Sequence, residues 1–370
     1  LNGMMNWILE TGLHDRTFIK QRCEGFNLFS RNVDYYSPAQ AALISGVQPE
    51  VIKQAAEIFA GAKCGVVVFG MGITQHTTGV DNVKSIANLL MLTGNMGRKG
   101  TGFSPLRGQN NVQGACDMGA LPNVYPGYQK IDEPAAQAKF SEAWKVDLNN
   151  RKGLPLTDMI IAADHQQLRA MYVVGENPLM SEPNLEHTRH AMAKLSFLAV
   201  QDIFLTETAM LADVVLPAAS FAEKNGTFTN TERRVQLVRQ VLDPVGTARA
   251  DWQIIAELSS RMGYEMSHAD SSTIMKEIAA LTPIYGGISH RRLERLDGLQ
   301  WPCWDNRHRG TSRLHVNEFT RGKGKFHEVN YKPPAETTSI EFPMVLTTGR
   351  VLEHFHPGSM SRRSRVLEKL

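Results

Sequence analysis

Apolar positions in the first 62 residues recur at helical spacing. Met5, Ile8, Leu9 and Leu13 share one face of a segment that runs to about Cys23, and Ser37-Pro38 opens a second helix. Pro49 stands in a first turn ahead of Val51, Ile52, Ala55, Ala56 and Phe59, and Gly61 stops that run. The period then changes. Cys64 to Phe69 is a continuous apolar stretch of β-branched type, followed by Gly70-Met71-Gly72 and a helical pattern from about Val80 to Thr93 closed by Gly94.

The same grammar returns about 105 residues later. Ala170 to Val174 predicts a strand, Gly175-Glu176-Asn177-Pro178 a turn, and Leu185 to Ala193 a helix. A third strand, Phe197 to Val200, ends at Gln201-Asp202; a short helix follows at Glu207 to Leu211, then a strand from Asp213 to Leu216 stopped by Pro217. Alternating buried strands and helices predict a doubly wound parallel sheet, whose ligands bind at the carboxyl ends of the strands, where Gly70, Gly175 and Asp202 fall. Residues 223–236 read as polar and turn-rich, Asp251 to Met262 as an amphipathic helix, and 282–335 as loops and short strands. Pro343 to Arg350 predicts a new strand-then-loop unit.

Composition narrows the class. A chain of 370 residues, 42% hydrophobic and 21% charged, is a folded multi-domain protein. Lys and Arg total 40 against 37 acidic residues, a charge of +3, which argues against a nucleic-acid partner. No run of about 18 uncharged apolar residues occurs, so direct membrane insertion is not expected. Cys23, Cys64, Cys116 and Cys303 are scattered; they form no metal-ligand spacing and no disulfide framework, which suits a reducing compartment. The chain begins at Leu1 with a helix almost at once and no leader, and closes at Leu370 without a tail; both ends are expected to continue into a longer chain.

Chemistry concentrates in five places. The turn at Gly70, Gly72 and Gln75 follows a strand and precedes a helix, so its amides can face a phosphate, although Gln75 stands where a dinucleotide fingerprint has its third glycine. Gly175, Glu176 and Asn177 repeat the arrangement, and the pair suits one large ligand with two phosphate-bearing ends. Asp202, after Gln201, can accept two N–H groups of a guanine edge, bond a ribose, or cap the next helix. Residues 105–119 (PLRGQNNVQGACDMG) form the densest polar run: the amides suit a heterocycle such as a pterin, and Arg107 can hold a small carboxylate in a two-pronged fork. His354, His356, Ser359, Ser361 and Arg350 gather around Gly349 and Gly358. Without a third ligand this cluster suits hydrogen bonding to a cofactor better than a metal.

Five runs carry a family resemblance: GMGITQHTTGVDNVKSIANLLMLTGNMGRKGTG, RGQNNVQGACDMGALPNVYPGYQ, VVGENPLMSEPN, QDIFLTETAMLADVVLPAASFAEKNGTFTNTERRVQ and LTTGRVLEHFHPGSMSRRS. The chain resembles the molybdopterin-dependent oxidoreductases of the dimethyl sulfoxide reductase family, and within it the formate dehydrogenase alpha subunits. The resemblance implies a molybdenum or tungsten centre held by two molybdopterin guanine dinucleotides. Carried over residue by residue, Gly70, Gly72, Gln75, Gly175, Glu176, Asn177, Gln201 and Asp202 belong to a dinucleotide site, with Asp251 beside them. Gly108 and Gln109 lie near metal and pterin, Arg107 is the catalytic residue that orients formate, and Thr348, Gly349, Arg350, His354, His356 and Ser361 begin the C-terminal barrel that covers the cofactors.

The fold class implied is α/β: two doubly wound α/β cofactor-binding domains, an irregular α+β segment and the start of a C-terminal β-barrel. The boundaries are 1–109 for a partial first molybdopterin-binding domain, 110–272 for the second with an inserted loop at 222–250, 273–335 for the irregular segment, and 336–370 for the truncated barrel. The family's four-cysteine motif for a 4Fe-4S cluster and its catalytic cysteine or selenocysteine have no match here and are expected upstream. The parent is thus expected to oxidise formate and pass electrons to iron-sulfur or NAD/flavin-type subunits, while the chain alone does not turn over. Cytoplasmic placement is expected, or periplasmic given an upstream export signal. Nitrate reduction on the same scaffold, or a non-catalytic electron-transfer subunit, are the competing readings.

Overall fold

The structure is a computed structural model that describes residues 1–347, 349 and 351–369. It divides into two compact units, Leu1–Arg107 with Thr311–Thr347, and Gly108–Gly310 with the remaining C-terminal residues.

The first unit opens with helices. The stretch expected as one helix to Cys23 is two, α1 (Asn2–Glu10) and α2 (Arg16–Arg22). Gly12 takes a positive φ between them, and the Asp15 side chain caps α2 by accepting the Phe18 N–H at 2.9 Å. A two-residue strand β1 (Cys23–Glu24) precedes α3 (Phe26–Asp34), α4 (Pro38–Ser45) and α5 (Pro49–Gly61). The strand expected from Cys64 is β2 (Val66–Phe69); just before it Gly65 N–H bonds the Asn95 side chain at 3.0 Å and Gly65 O accepts the Gly102 N–H at 3.3 Å. A four-residue helix α6 (Met71–Thr74) and α7 (Gly79–Leu92) link β2 to β3 (Gly102–Pro105), which pairs with it in parallel.

The first unit's core runs from Met5 and Ile8 through Phe29 and Val33 to Ile86, Leu89 and Leu90. Residues 311–347 return to this core. Phe326 stacks on Phe29 with centroids 4.7 Å apart, and Gly324–Lys325 pairs with β1. Most of the returning backbone lacks a sheet partner, so three asparagines supply one. Asn2 Nδ2 donates to Val329 O, Asn32 Oδ1 accepts Val329 N–H, and the buried Asn88 amide bonds both the N–H and the C=O of His327. Asn88 interrupts the apolar stripe of α7 for this reason.

The second unit begins with α8 (Val112–Asp117), the two-residue strands β4 (Val124–Tyr125) and β5 (Gln129–Lys130), then α9 (Pro134–Trp144) and α10 (Leu156–Asp164). The parallel sheet follows: β6 (Ala170–Val174), α11 (Pro178–Ser181), α12 (Leu185–Ala193), β7 (Phe197–Asp202), α13 (Glu207–Leu211) and β8 (Val214–Pro217). Its inner face, Val173, Leu198 and Val200, buries Ile160, Ala163, Leu179, Ala191 and Met192 of the helices. On the outer face Tyr172, Val174 and Phe197 are exposed.

The polar stretch 223–236 contains the start of a hairpin, β9 (Gly226–Thr229) with β10 (Arg234–Val238). After α14 (Asp251–Arg261) and α15 (Ser271–Leu281) comes an unforeseen helix, α16 (His290–Leu296), and then β11 (Leu299–Gln300), which joins β10. The strand expected at 343–350 does not form among its described residues. A strand needs a neighbour, and Met344, Val345 and Leu346 are exposed with none. Among the described residues no helix is long and apolar enough to cross a membrane.

Replacing Phe326 by Ala removes a ring that is 3% exposed and stacked on Phe29. We expect a loss of about 3–5 kcal/mol, measured by denaturant unfolding; a loss below about 1 kcal/mol contradicts the role given to the returning segment.

Candidate functional site

In the first unit β2 ends at Phe69, Gly70 stands between it and α6, and Gly72 lies within that helix. Side chains built on either would have room among the described residues: a Cβ on Gly70 meets only Leu106 O, at 3.8 Å, and one on Gly72 meets nothing within 4 Å. Gln75, which ends α6, is exposed. With four residues α6 carries little of the dipole that a long helix offers a phosphate. The close-approach glycine of this turn is Gly79, where a Cβ would run into Thr74 O. Sequence reasoning missed it because the intervening α6 moves it out of fingerprint spacing. Arg107 is exposed at the end of this unit, just after Leu106, whose N–H bonds Phe69 O at 2.7 Å.

The second unit gathers more of the expected residues at the ends of β6 and β7. Gly175 has φ +63° and open space where a side chain would stand. Glu176 Oε1 accepts from Ser181 Oγ at 2.7 Å and from Asn177 N. Asn177 is buried; its Nδ2 donates to Glu207 Oε2 at 2.8 Å, and its Oδ1 accepts from Thr208 Oγ1 at 2.7 Å and from Thr208 N. Gln201 is wholly buried, donating to Asp251 Oδ1 at 2.6 Å and accepting from Tyr172 Oη. Asp251, at the start of α14, is ion-paired with Lys224 through its other oxygen. Asn177, Gln201 and Asp251 therefore spend side-chain polarity on other protein groups, the exposed Glu176 braces the turn through one oxygen, and together they set the shape of the strand ends.

Asp202 differs. Among the described residues no side chain hydrogen-bonds it; its Oδ1 accepts the Phe204 N–H at 3.0 Å. Burial lifts its carboxyl above the usual range, overriding the Phe204 and Ile203 N–H groups and the Arg363 charge, with Glu176 adding to the rise. Glu182 is also raised, by burial and then by Glu176. Glu207 is held below its usual value by its own backbone N–H, Asn177 and Arg363. This acidic mouth suits the N–H edge of a heterocycle better than a pyrophosphate.

The C-terminal residues reach the same place. Arg363 Nη2 donates to both Glu207 carboxylate oxygens, at 2.7 and 2.9 Å, a pairing that sequence reasoning did not foresee. His354 Nδ1 lies 3.1 Å from Ser361 Oγ, which also accepts the Phe355 N–H. His356 packs over Gly108, where a Cβ would run into its Nε2, so these two expected residues meet. Gln109 is exposed beside them in sequence, and Gly349 is exposed with open space around it; Thr348 and Arg350 lie outside the described residues. Among the described residues no three His, Cys, Asp or Glu side chains converge as a metal-ligand set.

The molybdopterin oxidoreductase family profile matches residues 1–261. The chain is 48% identical to the F420-dependent formate dehydrogenase subunit alpha of Methanocaldococcus jannaschii, over 99% of this chain and 54% of that protein. It is 40% identical to formate dehydrogenase H of Escherichia coli, over 100% of this chain and 52% of that protein. The chain thus spans about half the length of the curated relatives it matches. Among solved structures, acetylene hydratase from Pelobacter acetylenicus superposes with a TM-score of 0.67 at 19% identity, covering 91% of this chain and 50% of that one, which is a likeness of fold. On the profile match, the chain belongs to the molybdopterin oxidoreductase family.

Proposed function

We propose that these residues serve the catalytic subunit of a formate dehydrogenase, which oxidises formate to carbon dioxide, two electrons and a proton. One observation carries the reading: relatives named as formate dehydrogenases align with 98 to 100% of this chain at 40 to 48% identity. The family's fold supports the rest. Residues 1–109 and 110–272 are read as two doubly wound α/β domains, 273–335 as an irregular segment and 336–370 as the start of a barrel. The exposed Tyr172, Val174 and Phe197 support this, since a second helix layer of such a sheet packs there.

The residues present fit a guanine dinucleotide. Gly175 leaves space beside an acid, Asp202, that no described side chain hydrogen-bonds, and a carboxylate can accept both N–H groups of a guanine edge. In the second unit Gly175 and Asp202 would touch the dinucleotide, on a shape built by Glu176, Asn177, Gln201 and Asp251. Gly108, Gln109, His354, His356 and Ser361 would meet the pterin, with Thr348, Gly349 and Arg350 beside them. In the first unit Gly70, Gly72 and Gln75 would contribute backbone and amide contacts. When bound, a molybdenum or tungsten bis-pterin centre would supply the two-electron chemistry, with a 4Fe-4S cluster and iron-sulfur or nicotinamide-flavin subunits as the proposed electron acceptors. This chain's own part is placement. Arg107 grips the formate carboxylate with a planar fork and orients its C–H bond. The free cysteines support cytoplasmic placement.

Two outcomes follow. In the full-length enzyme Arg107→Lys keeps the charge and loses the fork; we expect formate KM to rise roughly 10- to 100-fold, and unchanged KM and kcat sink the role. Asp202→Asn puts an N–H donor where the guanine N–H groups point, so guanine nucleotide released per protein on acid hydrolysis falls by about tenfold. Because burial raises the Asp202 pKa, the carboxylate form is complete only above that raised value. Cofactor retention is therefore lost, as the pH falls, at a higher pH than an ordinary carboxylate would give. Wild-type guanine content in the variant contradicts the assignment.

A further inference from the structure

Asp117 ends α8 with none of its surface exposed. Its Oδ1 accepts from Gln113 Nε2 at 2.8 Å and from Tyr128 Oη at 2.8 Å; its Oδ2 accepts from Tyr285 Oη at 2.6 Å and from Trp301 Nε1 at 2.7 Å. These donors come from four parts of the chain, and all are neutral. The nearby charge is Arg233, whose guanidinium lies over the Trp301 ring at 5.4 Å and donates to the Trp301 carbonyl. A carboxylate removed from water persists only where donors replace its hydration, and here four of them fill its lone-pair directions. Burial of the tyrosine, and then the charge and hydrogen bond of Asp117, drive the Tyr285 hydroxyl far above its usual pKa, so that phenol stays a donor.

Formate chemistry makes no direct use of Asp117; its place in the chain gives it a part. α8 has six residues, too few to hold itself, and its buried residues are Gln113, Gly114 and Asp117, none with a hydrocarbon side chain. An ordinary helix docks by an apolar stripe. This one is docked by hydrogen bonds. At its other end Asn111, with φ +63°, accepts the Thr229 N–H at 2.9 Å, and Gly114 leaves the room: a Cβ there would run into Asn111 Oδ1. Thr229 Oγ1 lies 3.2 Å from Tyr285 Oη, so both anchors of α8 close on one tyrosine. Immediately before Asn111 stand Arg107, Gly108, Gln109 and Asn110.

We propose that Asp117 is a positioning residue for the polar run 107–111. Its cage of four donors fixes the rotation and height of α8, and Asn111 passes that placement to the backbone carrying Gly108 and Gln109, to which Arg107 is bonded. What the run binds rests on the formate dehydrogenase reading; the mechanical linkage does not.

The test uses the full-length holoenzyme with Asp117→Asn, which keeps the shape and turns one acceptor into a donor facing donors. Hydrogen exchange needs no substrate: peptides covering 107–117 should exchange roughly tenfold faster than in the wild type, with those of β6, β7 and α12 unchanged. In turnover, formate KM should rise by about tenfold, more than kcat falls, at unchanged molybdenum or tungsten content per protein. A merely structural residue would lower kcat with the active fraction and leave KM alone. That result, or exchange that is unchanged or faster evenly across the second unit, overturns the proposal. Should Asp117→Asn fail to fold, Tyr285→Phe removes a single donor and keeps the ring; the same local pattern at smaller size supports the proposal, and wild-type exchange at 107–117 overturns it. A wild-type enzyme that oxidises no formate defeats the functional reading, while the exchange result still decides the part played by Asp117.

Discussion

The sheet β6–β8 can end where it does because Gln201 is matched on both sides. Its amide is wholly buried, and a buried amide with an empty donor or acceptor costs more than the hydrogen bond it would have made. Tyr172 donates to its oxygen, Asp251 accepts from its nitrogen, and Lys224 neutralises Asp251. That chain ties two neighbouring strands to the start of α14. A second chain, Thr208 to Asn177 to Glu207 to Arg363, ties the turn after β6 to α13 and to the C-terminal residues. Both are closed circuits of protein groups. They leave Gly175 and Asp202 as the open places, and that division between builders and contacts underlies the functional reading.

Asp117 applies the same economy in a different setting. There the constraint is a helix too short and too polar to dock by burial, and the answer is a saturated carboxylate. Satisfied buried networks of this kind specify one geometry, whereas an apolar patch tolerates sliding. A segment that must hold a guanidinium and several amides in register gains from that. The same device, amide for backbone, pins the returning segment of the first unit through Asn2, Asn32 and Asn88.

Much of the fold was legible in the chain. The helices Leu185–Ala193 and Glu207–Leu211 stand at their expected bounds, because Asn184 and Thr206 cap them and the apolar periods are strong. The hairpin of β9 and β10 was not legible, since it fully buries only Thr229 and Val235 and its alternation is carried by single residues. α16 went unseen for a similar reason: in HRRLERL only Leu293 is buried. Sequence reasoning singled out residues that the structure gathers at the ends of β6 and β7, but not the groups they bond. Residues 105–119 read as an amide cluster facing a ligand, yet Gln113 and Asp117 face inward, toward donors from residues 128, 285 and 301 that no local pattern could bring there. Asn177 and Gln201 were expected to reach a ligand; their partners lie about 30 and 50 residues away, beyond the reach of spacing arguments.

In the proposed site the groups that build the strand ends are distinct from the acid, Asp202, that would meet the base. A structure of the full-length enzyme with its cofactor in place decides this. We expect a purine edge on the Asp202 carboxylate at about 2.8 Å, with Asn177, Gln201 and Asp251 keeping their present partners. A base bound away from Asp202, or Asn177 and Gln201 leaving Glu207 and Asp251 to reach it, would overturn the division.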